Sequence, residues 1–288
     1  MTVIKQDDLI QSVADALQFI SYYHPVDFIQ AMHEAYLREE SPAARDSMAQ
    51  ILINSRMCAT GHRPICQDTG IVTVFIRVGM DVRWTGATMS VDDMINEGVR
   101  RAYNLPENVL RASILADPAG ARKNTKDNTP AVIHYSIVPG DKVEVDVAAK
   151  GGGSENKSKM AMLNPSDSIV DWVLKTVPEM GAGWCPPGML GIGIGGTAEK
   201  AAVMAKEVLM EHIDIHELQA RGLIACPVCG DSRVKKAVMA PMSQMSSRLK
   251  PWASSRACQA SSSTPRPAAR CRAKSSIVRW RSEIGAVR

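Results

Sequence analysis

Apolar residues recur at helical spacing through much of the first sixty positions. The segment Arg45–Met57 is the clearest case, and it follows a Ser41-Pro42 start that suits the first turn of a helix. We therefore predict that this part of the chain is helical. The apolar stripe of the segment consists of Met48, Ile51, Leu52 and Met57.

Two later segments also have apolar residues at helical spacing. Ser168–Val177 places its apolar residues on one stripe, and we expect Ser166 to cap this helix and Pro178 to stop it. The segment Thr197–Met210 predicts another helix. Its inward residues are expected to be Ala201, Ala205, Val208 and Leu209.

Strand patterns separate these helices. Ile71–Gly79 is a β-branched run, and Ala131–Val138 and Lys142–Ala149 flank the turn residues Pro139-Gly140-Asp141. In the last run, valines alternate with charged residues. The pattern predicts a hairpin with one solvated face, and the whole of residues 1–222 reads as an α/β domain.

Residues 223–288 differ from the rest of the chain. They contain 13 Lys and Arg residues against 2 acidic residues, a net charge of +11, while residues 1–222 carry −7. They also contain 12 serines and no hydrophobic period. So little apolar surface cannot offset the entropy lost on ordering, so we predict a largely disordered tail.

The composition of the chain argues against several classes of protein. No apolar run approaches the roughly 20 residues that span a bilayer, and Met1–Asp8 is polar, so we expect a cytoplasmic protein without a membrane partner. The basic tail would attract phosphate, but Trp252 and Trp280 are too few for stacking on nucleic acid, and we predict no nucleic-acid partner. The 7 cysteines are more typical of metal ligands than of disulfides.

Two cysteines have settings that differ from the apolar surroundings of a structural thiol. Cys66 is followed by Gln67-Asp68-Thr69-Gly70, and Cys185 lies in a turn sequence ahead of Pro186-Pro187. A capping aspartate beside an incidental cysteine, or a tight turn with a spare thiol, would give the same local patterns. The alternative is that both thiolates bind a metal centre.

Between the two cysteines, Lys150–Lys157 contains three consecutive glycines and no apolar side chain. Such a segment can bring backbone N–H groups close to an anion, and its place between a patterned strand and a patterned helix favours a binding loop over a linker. The two cysteines and this loop together predict a thiolate-held metal centre beside a carboxylate-binding loop.

Other motifs support rival interpretations. Gly191–Gly196 has the spacing of a dinucleotide-binding turn, but the chain offers no succession of βαβ units around it. Cys226 and Cys229 resemble half of a zinc ribbon, and Cys258 and Cys271 do not supply the other half. The basic run Arg122–Lys126 could bind a dicarboxylate, although we favour a solvated basic loop.

Three motifs taken jointly resemble the N-terminal portion of class I, iron–sulfur-dependent fumarate hydratases. They are Arg63–Gly70, Lys150–Lys157 and Gly181–Gly196, and the resemblance covers about residues 1–222. The third motif is closer to the fumarases than to the related tartrate dehydratases. The resemblance implies a mixed sheet with surrounding helices and reversible hydration of fumarate to malate.

The resemblance also implies a [4Fe–4S] cluster, with Cys66 and Cys185 as two of its three cysteine ligands and the third not identified. It implies that Asp68 transfers a proton. The partners implied are fumarate and malate, and either a second copy of the chain or a separate chain with the C-terminal domain. The implied substrate contacts are Gln67, Asp68, Arg111, Gly151, Gly152, Gly153, Ser154, Glu155, Asn156 and Lys157.

The tail departs from this family. We identify no counterpart of the third cysteine loop or of the C-terminal substrate-binding residues. If the codons of Lys250–Ala253 are read from their third base, Trp252 and Ala253 force a glycine where the family has Ala-Leu-Gly-Ile. We therefore hypothesise a frameshift near Gly222. The alternatives to an active fumarase are a non-catalytic fragment that binds an intact homologue, and a tartrate dehydratase-like hydro-lyase.

Overall fold

The computed structural model describes residues 2–67, 69–184 and 190–210, together with the strand backbones at 235–237 and 279–284. The chain forms two compact units. The first comprises Met1–Pro25, Ile53–Gly152 and Ser276–Arg288, and the second comprises Val26–Leu52 and Gly153–Ser275.

The chain combines helices with strands, and the α/β prediction is confirmed. The helices are α1 (Gln6–Tyr22), α2 (Val26–Arg38), α3 (Pro42–Gly61), α4 (Val91–Tyr103), α5 (Gly152–Glu155), α6 (Ile169–Glu179) and α7 (Ala198–Glu207). The strands are β1 (Thr2–Lys5), β2 (Ile71–Gly79), β3 (Val82–Thr85), β4 (Leu115–Ala116), β5 (Lys123–Asn124), β6 (Val132–Val138), β7 (Val143–Lys150), β8 (Leu190–Ile192), β9 (Lys235–Ala237) and β10 (Arg279–Ile284).

A mixed four-stranded sheet organises the first unit. Its order is β10-β7-β2-β6, with β2 parallel to β6 and antiparallel to β7. One face of β2 and β7 packs with the apolar faces of α1 and α4 into a single core. This face consists of the fully buried residues Val72, Val74, Ile76, Val143, Val145 and Val147.

The helices that cover this sheet have clear end signals. At the start of α4, the Ser90 hydroxyl accepts from the Asp93 N–H at 3.1 Å, and Asp92 and Asp93 lie in the first turn. Arg100 and Arg101 lie in the last turn, so the charges at both ends complement the helix dipole.

The predicted hairpin of β6 and β7 is wrong. The two strands have nearly the predicted bounds, but β2 lies between them and pairs with both. The connecting turn passes over the end of β2, where Gly79 N donates to the Lys142 carbonyl at 2.8 Å and Asp81 N donates to Gly140. Burial of the β-branched strand β2 on both sides outweighs the local preference of a short turn for adjacent strands.

The predicted solvated face of β7 is also wrong. Asp146 is 2% exposed, and its carboxylate receives a hydrogen bond from Arg77 Nη2 at 2.8 Å. Arg77 Nε bonds Glu144 at 2.9 Å, so one arginine of β2 joins two carboxylates of β7. The alternation of valines and charged residues in β7 correctly places the charged residues on one face of the strand. Pairing of these charges with Arg77 of β2 allows that face to be buried.

The helix predictions need small corrections. The predicted helix over 45–57 is confirmed within α3. Ser168, not Ser166, caps α6, because its hydroxyl accepts from the Asp171 N–H at 3.2 Å. Pro178 lies inside the last turn rather than ending the helix, because the Met180 N–H still bonds the Thr176 and Val177 carbonyls. The last residues of the Thr197–Met210 prediction form a tighter 3₁₀ turn.

The second unit holds its own apolar clusters. The α2 and α3 residues of one cluster include Phe28, Met32 and Met48. Another cluster joins α6 to the short strand β8 through Val173, Val177, Trp184 and Leu190. Across the described residues of both units, no helix combines the length and the apolar character needed to cross a membrane.

Candidate functional site

The segment that leads into β2 carries the first predicted motif. Cys66 is half-buried and Gln67 is exposed. The Cys66 thiol donates to Gln67 Oε1 at 3.4 Å, so the two side chains lie on the same side of the loop. Asp68, the predicted proton-transfer residue, lies outside the described residues.

The loop is anchored before Cys66. The Ile65 N–H donates to the Ser21 carbonyl at 2.8 Å, and the Ile65 carbonyl accepts from Asn54 Nδ2 at 2.9 Å. These bonds attach the loop to the end of α1 and to α3. A loop held by both backbone groups of one residue presents the next residue, Cys66, in a defined direction.

The loop is anchored again after Cys66. Tyr103 donates its hydroxyl to the Thr69 carbonyl at 3.0 Å, and Asn128 Nδ2 donates to the Gly70 carbonyl at 2.9 Å. Gly70 has a φ of +86°, and a β-carbon there would lie 2.7 Å from the backbone of Lys150. Only glycine suits this position, because the left-handed region and the close approach both exclude a side chain.

Arg111 lies beside this loop. Its guanidinium Nη1 donates to the Gln67 carbonyl at 3.4 Å, and the Thr69 hydroxyl donates to the Arg111 carbonyl. Arg111 is exposed. The structure thus brings the guanidinium group of Arg111 to the backbone of the Cys66-Gln67 pair, which lies more than forty residues earlier in the sequence.

A cavity of about 40 Å³ opens behind the loop. Most of its lining is apolar, and only a minority of the lining side chains contribute polar groups. The side chains that line the cavity come from Leu17, Ile20, Ser21, His24, Pro64, Ile65, Cys66, Thr69, Tyr103, Leu110 and Ala149. Cys66 therefore lies at a small, mostly apolar cavity that adjoins the main core.

The glycine motif starts at the same edge of the sheet. Ile71, the first residue of β2, pairs with Lys150, the last residue of β7, so the Cys66 loop and Gly151 leave neighbouring strand ends. The expected open loop is wrong over part of its length, because Gly152–Glu155 forms one helical turn. Successive glycines tolerate helical backbone as readily as extended backbone.

The rest of the glycine motif lies in the second unit. The Glu155 carboxylate forms an ion pair with Lys206 Nζ of α7 at 2.6 Å. The Lys157 side chain lies against Gly183, where a β-carbon would be 2.5 Å from Lys157 Cε. Within this unit, Gly153–Lys157 is therefore packed against the start of the third motif.

The third motif is described only in part. Trp184 is buried among Val173, Val177 and Leu190. Cys185, the second predicted cluster ligand, and residues 186–189 lie outside the described residues. The buried indole fixes the chain immediately before Cys185.

The glycines of Gly191–Gly196 have a packing role that the sequence pattern did not reveal. A β-carbon on Gly191 would overlap the Ala205 carbonyl, and one on Gly193 would overlap the Ala201 carbonyl. The motif therefore lets β8 lie directly against the backbone of α7. In the described parts of the chain β8 pairs only with β9 and antiparallel, which does not match the parallel sheet of a dinucleotide fold.

The donor set fits a metal cluster in part. Where the structure describes side chains, it contains no group of three or more His, Cys, Asp and Glu residues that could hold a metal ion. Cys66 has the exposure and the polar setting of a ligand. Cys58 does not, because burial raises the pKa of its thiol, which donates to Pro64 O at 3.7 Å and Asn54 Oδ1 at 3.6 Å.

Sequence reasoning did not identify Tyr103 and Asn128, which hold the Cys66 loop. A tyrosine at the end of an amphipathic helix reads as core, and an asparagine between Asp127 and Thr129 reads as a turn residue. The basic run Arg122–Lys126 is exposed around the short strand β5, as its solvated interpretation predicted. No local signal distinguishes the buried asparagine from its half-buried neighbours Asp127 and Thr129.

Comparisons with known proteins give two family matches. Residues 10–244 match the family described as fumarate hydratase (Fumerase). Residues 209–286 match a protein family of unknown function, DUF1178. The two matches overlap over residues 209–244.

Individual relatives cover most of the first match. A putative L(+)-tartrate dehydratase subunit alpha from Methanocaldococcus jannaschii is 33% identical over 207 residues, which is 70% of this chain and 72% of that protein. The L(+)-tartrate dehydratase subunit alpha of Escherichia coli strain UTI89 is 27% identical over 209 residues. The matched region is 71% of this chain and 68% of that protein. The subunit from Escherichia coli K12 is 26% identical over 208 residues.

Proposed function

Because the chain belongs to the fumarate hydratase (Fumerase) family of hydro-lyases, we propose that its first 222 residues carry part of an active site that adds water across fumarate to give malate. In this reaction a hydroxyl is added to one alkene carbon and a proton to the other. The reverse direction removes both from malate. The reactant is a dianion at neutral pH, so the site must supply cationic and N–H donors.

The observation that carries the proposal is the position of Arg111 beside the backbone of Gln67, the residue that follows Cys66. An exposed guanidinium group can bind a carboxylate through two parallel N–H donors. The Gln67 amide offers both a donor and an acceptor on the same loop. These groups would fix one end of the substrate, and we assign Gly151–Gly153, Ser154, Glu155, Asn156 and Lys157 to the remaining contacts.

We assign Cys66 and Cys185 as two of the thiolate ligands of an iron–sulfur cluster, since the family is generally iron–sulfur dependent. The cluster would supply a Lewis acid toward a carboxylate and a hydroxyl oxygen. Asp68 directly follows the Cys66-Gln67 pair, and we assign the proton transfer to its carboxylate. Gln67 and Arg111 would orient the substrate next to that carboxylate.

Cys66→Ser is expected to abolish the little iron–sulfur centre that anaerobic reconstitution of the 288-residue chain yields. Serine keeps the size of the side chain but replaces a thiolate by a poorly ionised hydroxyl. The measurement is iron and sulfide content per chain. The matched control is Cys58→Ser, which removes a thiol that we assign to packing. Equal iron binding by wild type and Cys66→Ser would show that Cys66 is structural.

L-tartrate is the second candidate substrate, and the relatives favour it because they are named L(+)-tartrate dehydratase alpha subunits. Tartrate has one hydroxyl more than malate, so its recognition needs an additional hydrogen-bond partner. Comparing kcat/KM for fumarate, malate and L-tartrate with the same reconstituted preparation tests the choice. A preference for tartrate would refute the fumarase assignment while leaving the hydro-lyase assignment intact.

We further propose that this chain works with another polypeptide that supplies the missing groups. The relatives are named as subunits, and the ligand set assigned above has two cysteines where the family uses three. The alternative is a chain without catalytic activity that binds an intact homologue. Co-purification with a fumarase C-terminal chain, followed by assay, separates the two, because the alternative predicts binding without activity.

The second family match bears on the origin of the tail. An out-of-frame sequence has no reason to match a protein family, so the match over 209–286 favours a joined second coding sequence over a frameshift for that range. We propose that the junction lies within 209–244, where the matches overlap. Nucleotide sequence across these codons tests this: an in-frame fumarase continuation after a single-base correction would support the frameshift instead.

A further inference from the structure

We propose that Tyr103 and Asn128 are positioning residues that set the Cys66 loop against the Arg111 segment. The role in catalysis that this implies rests on the proposed function, whereas the positioning itself is a property of the first unit alone. The hydrogen bonds of these two side chains described below go to backbone groups of the segments that carry the assigned substrate contacts. Both act on the backbone that carries them, and we call the pair the loop clamp.

Tyr103 provides one half of the loop clamp. It is the last residue of α4, it is 1% exposed, and its ring lies in the main core. Its hydroxyl bonds the Thr69 carbonyl at 3.0 Å and lies 3.5 Å from the Gly70 carbonyl. Both carbonyls precede the first residue of β2, so the phenol provides a bond that the sheet does not.

Asn128 provides the other half. It is fully buried and has a φ of +61°, a conformation that asparagine adopts more readily than most residues. Its Nδ2 donates to the Gly70 carbonyl at 2.9 Å. Its Oδ1 accepts from the Ser113 N–H at 2.8 Å and the Ile114 N–H at 3.3 Å, two and three residues past Arg111.

One buried amide therefore bridges the two segments that carry the candidate site groups. Thr69 adds a third link, because its hydroxyl bonds the Arg111 carbonyl. Binding groups need placement to a fraction of an ångström, and loops achieve it only with rigid support behind them. Loss of the loop clamp would let the Cys66 loop open locally while the sheet and helices stay folded.

Tyr103→Phe tests the loop clamp, because it removes the hydroxyl and keeps the ring. The matched control is Tyr135→Phe, whose hydroxyl bonds Asp92 at 2.7 Å at the opposite end of α4. Residues 92 and 103 are separated by roughly 16 Å of helix. The readout is the rate at which iodoacetamide alkylates Cys66 in the full, metal-free chain, with Cys58 as the internal reference.

We expect Tyr103→Phe to raise the Cys66 alkylation rate by roughly 2- to 12-fold, the factor that corresponds to one lost neutral hydrogen bond. Cys58 labelling should not change, and Tyr135→Phe should change neither rate. A Cys66 rate equal to that of wild type would overturn the proposal. So would a parallel rise at Cys58, because that would report general loosening.

A measurement on the unmodified chain covers the case in which Tyr103→Phe does not fold. The Ser113 and Ile114 amides lie outside regular strands, yet the loop clamp predicts that Asn128 protects them from hydrogen exchange. Exchange at the rate of an exposed loop would overturn the proposal. If labelling and exchange behave as expected but no hydro-lyase activity is found with any partner chain, the loop clamp stands and the proposed function fails.

Discussion

The 288-residue chain by itself is expected to hydrate fumarate too slowly to measure. Our assignments give it two cluster cysteines, one guanidinium group and one glycine motif, and no counterpart in sequence of the third cysteine loop. Removing one preorganised electrostatic group typically costs on the order of 10²- to 10³-fold in rate. Groups that act as a unit lose nearly all catalysis together, so several absences compound.

The assay is the anaerobic disappearance of fumarate absorbance with reconstituted iron and sulfide. The positive control is the same chain in which residues 223–288 are replaced by a fumarase C-terminal portion, and we expect activity to return.

Within that active form, Arg111→Lys should weaken substrate binding, because lysine cannot make the two parallel bonds. Rapid turnover by the 288-residue chain would refute the incomplete-site hypothesis and direct attention to Cys226, Cys229, Cys258 and Cys271 as ligands.

Gly70→Ala is expected to be the most destabilising single-methyl change in the Cys66 loop. The φ of +86° costs an alanine roughly 1–2 kcal/mol, and overlap with the Lys150 backbone adds roughly 1–3 kcal/mol. The sum is a large part of a typical unfolding free energy of about 5–15 kcal/mol. The measurement is the midpoint of urea unfolding, with Cys66 alkylation reporting the loop itself.

Gly86→Ala is the matched control for this prediction. Gly86 also has a positive φ, of +62°, but no atom lies within 4 Å of its expected β-carbon. The Gly86→Ala variant should therefore lose only roughly 1–2 kcal/mol of unfolding free energy, which is the cost of the positive φ for alanine. If both variants lose the same stability, the contact with Lys150 contributes nothing, and the close approach of the two motifs would not constrain the loop.

The sequence predicted the parts of the fold that depend on local pattern. The bounds of β2 matched the β-branched run, and the stripe over 45–57 lies within α3. It missed β1 because Thr2–Lys5 is short and mixed in polarity, and a strand of this kind is stabilised only by its pairing with β3. The order of the strands in the sheet could not be predicted from the sequence either. Two strands that are consecutive in sequence can have a third strand between them without any change in their own pattern of apolar and polar residues.

The candidate site divides in the same way. The sequence predicted Cys66 and Gln67 as candidate site groups, because residue types and spacing limit what a group can bind. The side chains that hold the Cys66 loop in place could not be predicted from the sequence. The bonds of Tyr103 and Asn128 to residues 69 and 70 join positions 34 and 58 residues apart, and no periodicity relates them.

The sequence by itself therefore determined the secondary structure of the strongest segments, the residue types that the candidate site can offer, and the change in composition near residue 223. Tertiary structure decided that β2 separates β6 from β7, that Asp146 is buried against Arg77, and that Arg111 lies beside Gln67. The physical reason is that propensity and periodicity arise between near neighbours in the chain. Burial and hydrogen bonding between distant segments depend on which surfaces the folded chain brings together.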